Sequence, residues 1–204
     1  MIAHTGWLAT IAGCALLCSS CGAGTTQTAP KLSAGSSALE QLFPLGEGTR
    51  WIFEGTAEGS GARTTLTVDA RRSAKGSPEL VTGDAKTTIE VRPDSIVSAD
   101  GQILLKAPLT QGAAWDEGKG WRARVDAVDL AVTVPAGSYA GCVRVVSEVG
   151  PPSAGRVTTT YCPGIGRVAF ASEDTSSSKR YVARFELKSV GIAPKTGATA
   201  DASK

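Results

Sequence analysis

Histidine is nearly missing from this chain. The one present is His4, near the N-terminus in a segment that reads as removable. A mature protein without histidine lacks the commonest general base, the commonest zinc ligand and every Ser-His or Cys-His nucleophile arrangement. Aromatic residues make up only 5%, so aliphatic side chains must supply most of any core. Neither sign of charge prevails. The 21 Lys plus Arg face 19 Asp plus Glu, which offers no electrostatic argument for nucleic acid or anionic lipid as a partner. No apolar run reaches the roughly 20 residues that a membrane-spanning helix needs.

What remains is a chain of 204 residues rich in glycine, with 24, and in Thr, Val and Ala. That length is enough for one domain with a sizeable core, and the composition suits short strands and tight turns. Period-two alternation recurs along it. Leu66 and Val68 oppose Thr65, Thr67 and Asp69, and Ile89 and Val91 oppose Thr88 and Glu90. Trp121, Ala123 and Val125 oppose Arg122, Arg124 and Asp126. Val128, Leu130, Val132 and Val134 form one apolar face; Tyr181, Ala183, Phe185 and Leu187 form another. Asp100 and Gly101 stand between two apolar runs as a hairpin turn. One short helix precedes all this, capped by Ser36 or Ser37 and ended by Pro44. The expected fold is therefore all-β and mainly antiparallel. About ten strands of this kind form a curled sheet, either a half-open barrel or a sandwich.

Residues 134–168 organise the domain. Two β-rich runs flank a turn at 150–155, with Cys142 before it and Cys162 after it, nearly equidistant from its centre. Residues equidistant from a hairpin turn face each other across the ladder, so a Cys142–Cys162 disulfide is expected. A redox or metal pair is disfavoured, because there is no CxxC and no histidine to complete a zinc site. The absence of such sets leads to no expected metal or cofactor.

The run from Trp7 to Cys18 has the length of a signal-peptide apolar region, although the residues before it carry no Lys or Arg. Ser19 and Ser20 before Cys21, with Leu17 upstream, resemble the lipobox of bacterial lipoproteins, in which the cysteine is lipidated and becomes the first mature residue. Cys14 and Cys18 compete with it. Ile11-Ala12-Gly13-Cys14 matches the consensus but truncates the apolar run, and Cys18 lacks a small residue before it. Of five cysteines, cleavage at Cys21 leaves one lipidated thiol and one pair, with no orphan. The expected organisation is a signal peptide over 1–20, a flexible tether over 21–37, a β-rich envelope domain over 38–190 and a disordered tail over 191–204. Gly22 after the anchor implies the outer membrane rather than inner-membrane retention.

Four pieces recur in order: Phe43-Pro44-Leu45 with Gly48 and Trp51; Ala107-Pro108-Leu109 with Gly112 and Trp115; Val134-Pro135-Ala136-Gly137-Ser138-Tyr139 with Cys142; and Tyr161-Cys162-Pro163-Gly164-Ile165-Gly166-Arg167-Val168. Together they resemble a group of uncharacterised, β-rich bacterial envelope lipoproteins and secreted proteins. In that group alanine is common where Cys162 stands, so the paired cysteines are a local feature. A looser similarity, at the level of fold alone, links such domains to the half-open barrels of outer-membrane lipoprotein carriers. The resemblance implies an exported β-domain and carries over no catalytic residue.

Sharper chemistry finds little support. Arg122 and Arg124 beside Trp121 and Lys119 lie on the wet side of a strand, so a nucleic-acid surface is not expected. Glu54, Asp69, Asp116, Glu117 and Asp126 are carboxylates with no fixed separation, and Ser138 and Ser147 have no base to activate them. The expectation is a lipid-anchored, non-catalytic envelope module that binds a partner protein or an apolar ligand. The alternative is a hydrolase that works with carboxylates alone.

Overall fold

The computed structural model describes residues 37–57, 62–150, 154–174 and 181–192. The signal segment, Cys21, the tether before Ser37 and the tail after Ile192 lie outside them. Ser37 starts the only helix among the described residues, α1 (Ala38–Leu42), through a capping box. Its hydroxyl accepts from the Glu40 N–H while the Glu40 carboxylate accepts from the Ser37 N–H. Leu39, Leu42 and the following Phe43 are buried against the sheet.

Twelve antiparallel strands follow. From β1 (Thr49–Ala57) the chain meanders one way through β2 (Arg63–Arg72), β3 (Pro78–Thr82), β4 (Ala85–Val91), β5 (Ser95–Ser98) and β6 (Ile103–Lys106). It then continues through β7 (Ala114–Gly118), β8 (Trp121–Val134), β9 (Gly137–Val149), β10 (Gly155–Cys162) and β11 (Gly166–Asp174) to β12 (Tyr181–Ile192). Because β12 pairs with β1, all twelve belong to one sheet, in the order β6-β5-β4-β3-β2-β1-β12-β11-β10-β9-β8-β7. The sheet curls into a nearly closed barrel with a single seam, where β6 and β7 meet without a ladder. The seam is bridged by side chains. The Trp115 indole N–H donates to the Ile103 carbonyl at 3.2 Å, and Lys119 pairs with Asp100 in the β5–β6 turn. The hydrogen bond from Lys119, with a second from the Ser98 hydroxyl, holds Asp100 down to a pKa of about 2. Of the two expected forms the barrel is the one adopted, with twelve strands among the described residues where about ten were expected.

Bulges explain where simple alternation breaks. On β8, Ala123 and Val125 are buried at odd positions, whereas Val134 is buried and Leu130 and Val132 half-buried at even ones. This is one fourteen-residue strand, not two. Its register against β9 slips between Val125 and Ala127, again before Leu130, and again before Val132. Asp129 takes φ 54° in the middle of this stretch. Each extra residue shifts parity, since side chains alternate with a period of two.

Four smaller expectations are corrected. Asp69 is only 5% exposed instead of facing water, because Arg50, its direct cross-strand partner, forms two hydrogen bonds to it at 2.6 and 2.8 Å. Arg71 adds a third contact at 3.0 Å. Val91 is 41% exposed, since β4 ends there and the sheet no longer covers it. Gly155 belongs to the ladder opposite Val149 rather than to the turn. At the far end, Gly191 and Ile192 continue β12 opposite Arg50 and Thr49, where the tail was expected to begin.

Candidate functional site

The recurring sequence pieces converge. Gly164 and Gly166, with φ of 76° and 89°, let the chain leave β10 and enter β11 within a few residues. The Gly164 N–H donates to the Gln41 carbonyl of α1 at 2.7 Å. The Trp51 indole N–H donates to the Ile165 carbonyl, also at 2.7 Å and fully buried. A Cβ on Gly166 would stand 3.3 Å from the Pro44 ring, so glycine is needed there for close approach as well as for φ. The Phe-Pro-Leu opening, its tryptophan and the Pro-Gly-Ile-Gly turn thus form one junction. Cys142 and Cys162 are disulfide-bonded beside it, directly opposite in the continued β9–β10 register, with Cα atoms 4.2 Å apart. Both are 0% exposed.

Next to this junction lies an apolar pocket of about 390 Å³, its open mouth included, lined by Phe43, Pro44, Trp51, Phe53, Val68 and Leu80. It draws on the end of α1, on β1, β2 and β3, and on the start of β11. A second hollow of about 510 Å³ is lined by residues from β6 to β11 and is more polar. There Glu117 is 5% exposed and accepts from the Ser147 hydroxyl at 2.7 Å. Burial pushes its carboxyl above the usual range, against the hydrogen bonds from Ser147 and Gln102. Arg167 lines both hollows.

The carboxylates singled out in the sequence do not assemble. Glu54 pairs with Lys188. Asp69 is held below the usual carboxylate range, chiefly by the hydrogen bonds from Arg50. Asp126 is lowered in the same way by Arg144 and, less, by Arg124. The Asp116 carboxylate caps the turn by accepting from the Gly118 N–H at 2.7 Å. Glu117 stands apart from these in the second hollow. Among the described residues, no three His, Cys, Asp or Glu side chains come together as a metal-holding group. Ser138 bonds to Thr133 at 2.9 Å, and Ser147 has the Glu117 carboxylate as partner, which the sequence did not reveal.

Arg167 stands within the fourth sequence piece, but sequence reading gave it no role of its own. Its neighbours explain its placing. Tyr161 pairs with Arg167 while Thr160 pairs with Ala169, so Val168 is the extra residue of a bulge. Bulges re-aim side chains, and here one turns an arginine toward two hollows.

Fold and site together define a nearly closed antiparallel β-barrel with an apolar pocket beside a disulfide-braced junction. No family model matches the chain, and no curated protein does. Among solved structures it is similar to a Bacteroides fragilis protein described as exported and having a YmcC-like fold. The identity is 13% and the TM-score 0.43, over 71% of this chain and 96% of that one. It is also similar to a Parabacteroides distasonis protein described as a lipoprotein, at 11% identity and a TM-score of 0.42, over 74% and 98% of the two chains.

Proposed function

We propose that this is an exported, lipid-anchored protein of the bacterial cell envelope, sited in the outer membrane, whose β-domain binds an apolar ligand without turning it over. The apolar pocket formed by Phe43, Pro44, Trp51, Phe53, Val68 and Leu80 carries the binding part of this reading. Ligand sites are concave, mostly apolar and furnished with few polar groups, and this pocket has that character. Export is supported by the buried Cys142–Cys162 bridge, since such bonds persist in oxidising compartments, and by the signal-like run before Cys21. The order of the sequence pieces, which resembles that of envelope lipoproteins, supports the same reading. Carboxylate-only hydrolysis has less support. Glycoside chemistry uses two carboxyl groups, and Glu117 is the single one among the described residues lining its hollow.

Two measurements on the full chain test the proposal. Mass spectrometry of protein extracted from membranes should find a mature chain beginning with diacylglyceryl-modified Cys21; an unmodified Met1 start, or lipid on Cys14, overturns the anchor. Reconstituted in zwitterionic nanodiscs, the protein should take up the neutral dye Nile red beyond the level of empty nanodiscs. Val68→Trp, which fills the pocket, should abolish that excess. Equal uptake by the two proteins overturns the ligand reading.

A further inference from the structure

Among the described residues lining the two hollows, Arg167 is the only cation. Its Nε is buried and has no hydrogen-bond partner, while its guanidinium lies over the Phe170 ring with Cζ 5.2 Å from the centroid. Three carboxylates of the barrel, in contrast, have partners. Asp69 has Arg50 and Arg71, Asp126 has Arg144 and Arg124, and Glu117 has Ser147. Buried polar groups in folded proteins are normally hydrogen-bonded, and an exception calls for a specific explanation. A bulge in β11 places this arginine at the edge of an apolar pocket, where a buried Nε–H without an acceptor is costly to keep.

We infer that Arg167 is the headgroup anchor for a fatty-acid-like ligand. This rests on the apolar-ligand reading and names the ligand's class. The carboxylate accepts from the guanidinium N–H groups that face the hollows, a planar fork that fits a carboxylate in bidentate fashion. The acyl chain lies along Phe43, Pro44, Trp51, Phe53, Val68 and Leu80. One guanidinium balances one negative charge. A doubly charged phosphate head would find no second cation in either hollow and would face Glu117 in the more polar one. A neutral chain would offer the guanidinium no charged acceptor.

Displacement of Nile red from the full chain in nanodiscs provides the test, with dodecanoate, dodecanol and dodecyl phosphate as competitors. Wild type should prefer dodecanoate to dodecanol by roughly tenfold or more, as a charge-assisted hydrogen bond implies. Dodecyl phosphate should displace no better than dodecanoate. Arg167→Gln should treat dodecanoate and dodecanol alike, each read against that variant's own Nile red signal; Arg167→Lys should keep part of the preference. Should Arg167→Gln fail to fold, the three competitors on wild type still decide the matter. Equal displacement by acid and alcohol overturns the anchor while leaving the apolar pocket standing. A clear preference for dodecyl phosphate overturns the carboxylate assignment. Absence of any Nile red excess over empty nanodiscs overturns the apolar-ligand reading, and the anchor falls with it.

Discussion

Glu117 shows how much a single residue can reveal. It occupies the same face of β7 as Trp115, two positions on, and both are buried. The sequence contained that alternation, yet a carboxylate at an inward position reads as a solvated one until the other side of the hollow is known. Burial raises its pKa, so the folded state binds this proton more tightly than the unfolded chain does. Its ionisation therefore weakens the fold at neutral pH, and the penalty disappears as pH falls through the raised value toward the ordinary 4.5. Glu117→Gln keeps an acceptor for Ser147 and removes the charge. It should raise the unfolding temperature near neutral pH by about 2–4 °C per kcal/mol recovered, with the advantage shrinking on acidification. Thermal melts of both proteins across that pH range check this; an advantage independent of pH would show that ionisation is not the cause. Arg167 was not legible in the same way, because a bulge rather than alternation directs it.

Among the strands, β1 shows what alternation leaves out. Phe53 and Trp51 take the inward positions that a simple pattern assigns them. Gly55 then interrupts the pattern, and only its partners explain why. It pairs with Phe185 of β12, whose ring stacks on Phe170 with centroids 4.9 Å apart, while Phe170 meets Phe53 edge-on at 5.5 Å. A Cβ at position 55 would stand 2.3 Å from the Arg184 carbonyl oxygen and 2.4 Å from the Phe185 ring. Gly55→Ala should therefore destabilise by about 1–3 kcal/mol, the usual cost of forcing atoms into a filled space. Urea denaturation measures it, and an unchanged midpoint would mean that β12 yields without loss. The hairpin at Asp100-Gly101, in contrast, was readable locally, because Gly101 supplies its φ of 87° within the turn itself.

At the scale of the whole molecule the disulfide ties β9 to β10 at the end of their ladder remote from the connecting turn. It stands next to the junction where Trp51 donates to Ile165. Replacing both Cys142 and Cys162 by Ala should cost about 2–5 kcal/mol without abolishing the fold, since the two strands also share a ladder and a core of ordinary size. Non-reducing peptide mapping should find one bridge between these cysteines. Far-UV circular dichroism of the double variant should keep its β signature at a lower unfolding midpoint. Free thiols in protein passed through an oxidising compartment, or complete unfolding of the variant, would contradict this account.

The sequence by itself determined the all-β class, a helix cap at Ser36 or Ser37, the Asp100-Gly101 turn and the facing of Cys142 and Cys162. Each depends on residues close along the chain or symmetric about one turn, so their physics is local. Tertiary structure alone decided that the sheet is one and closes on itself. That outcome depends on β1 meeting β12 and on Trp115 and Lys119 reaching across the seam to Ile103 and Asp100. It also decided which charges lie inside. Asp69 could be buried only because Arg50 faces it from the neighbouring strand, and the Arg167 Nε is left without an acceptor because a bulge turns the side chain toward hollows built from distant strands. Long-range pairing and parity shifts at bulges have no signature in a window of a few residues, and they are what shape the pocket.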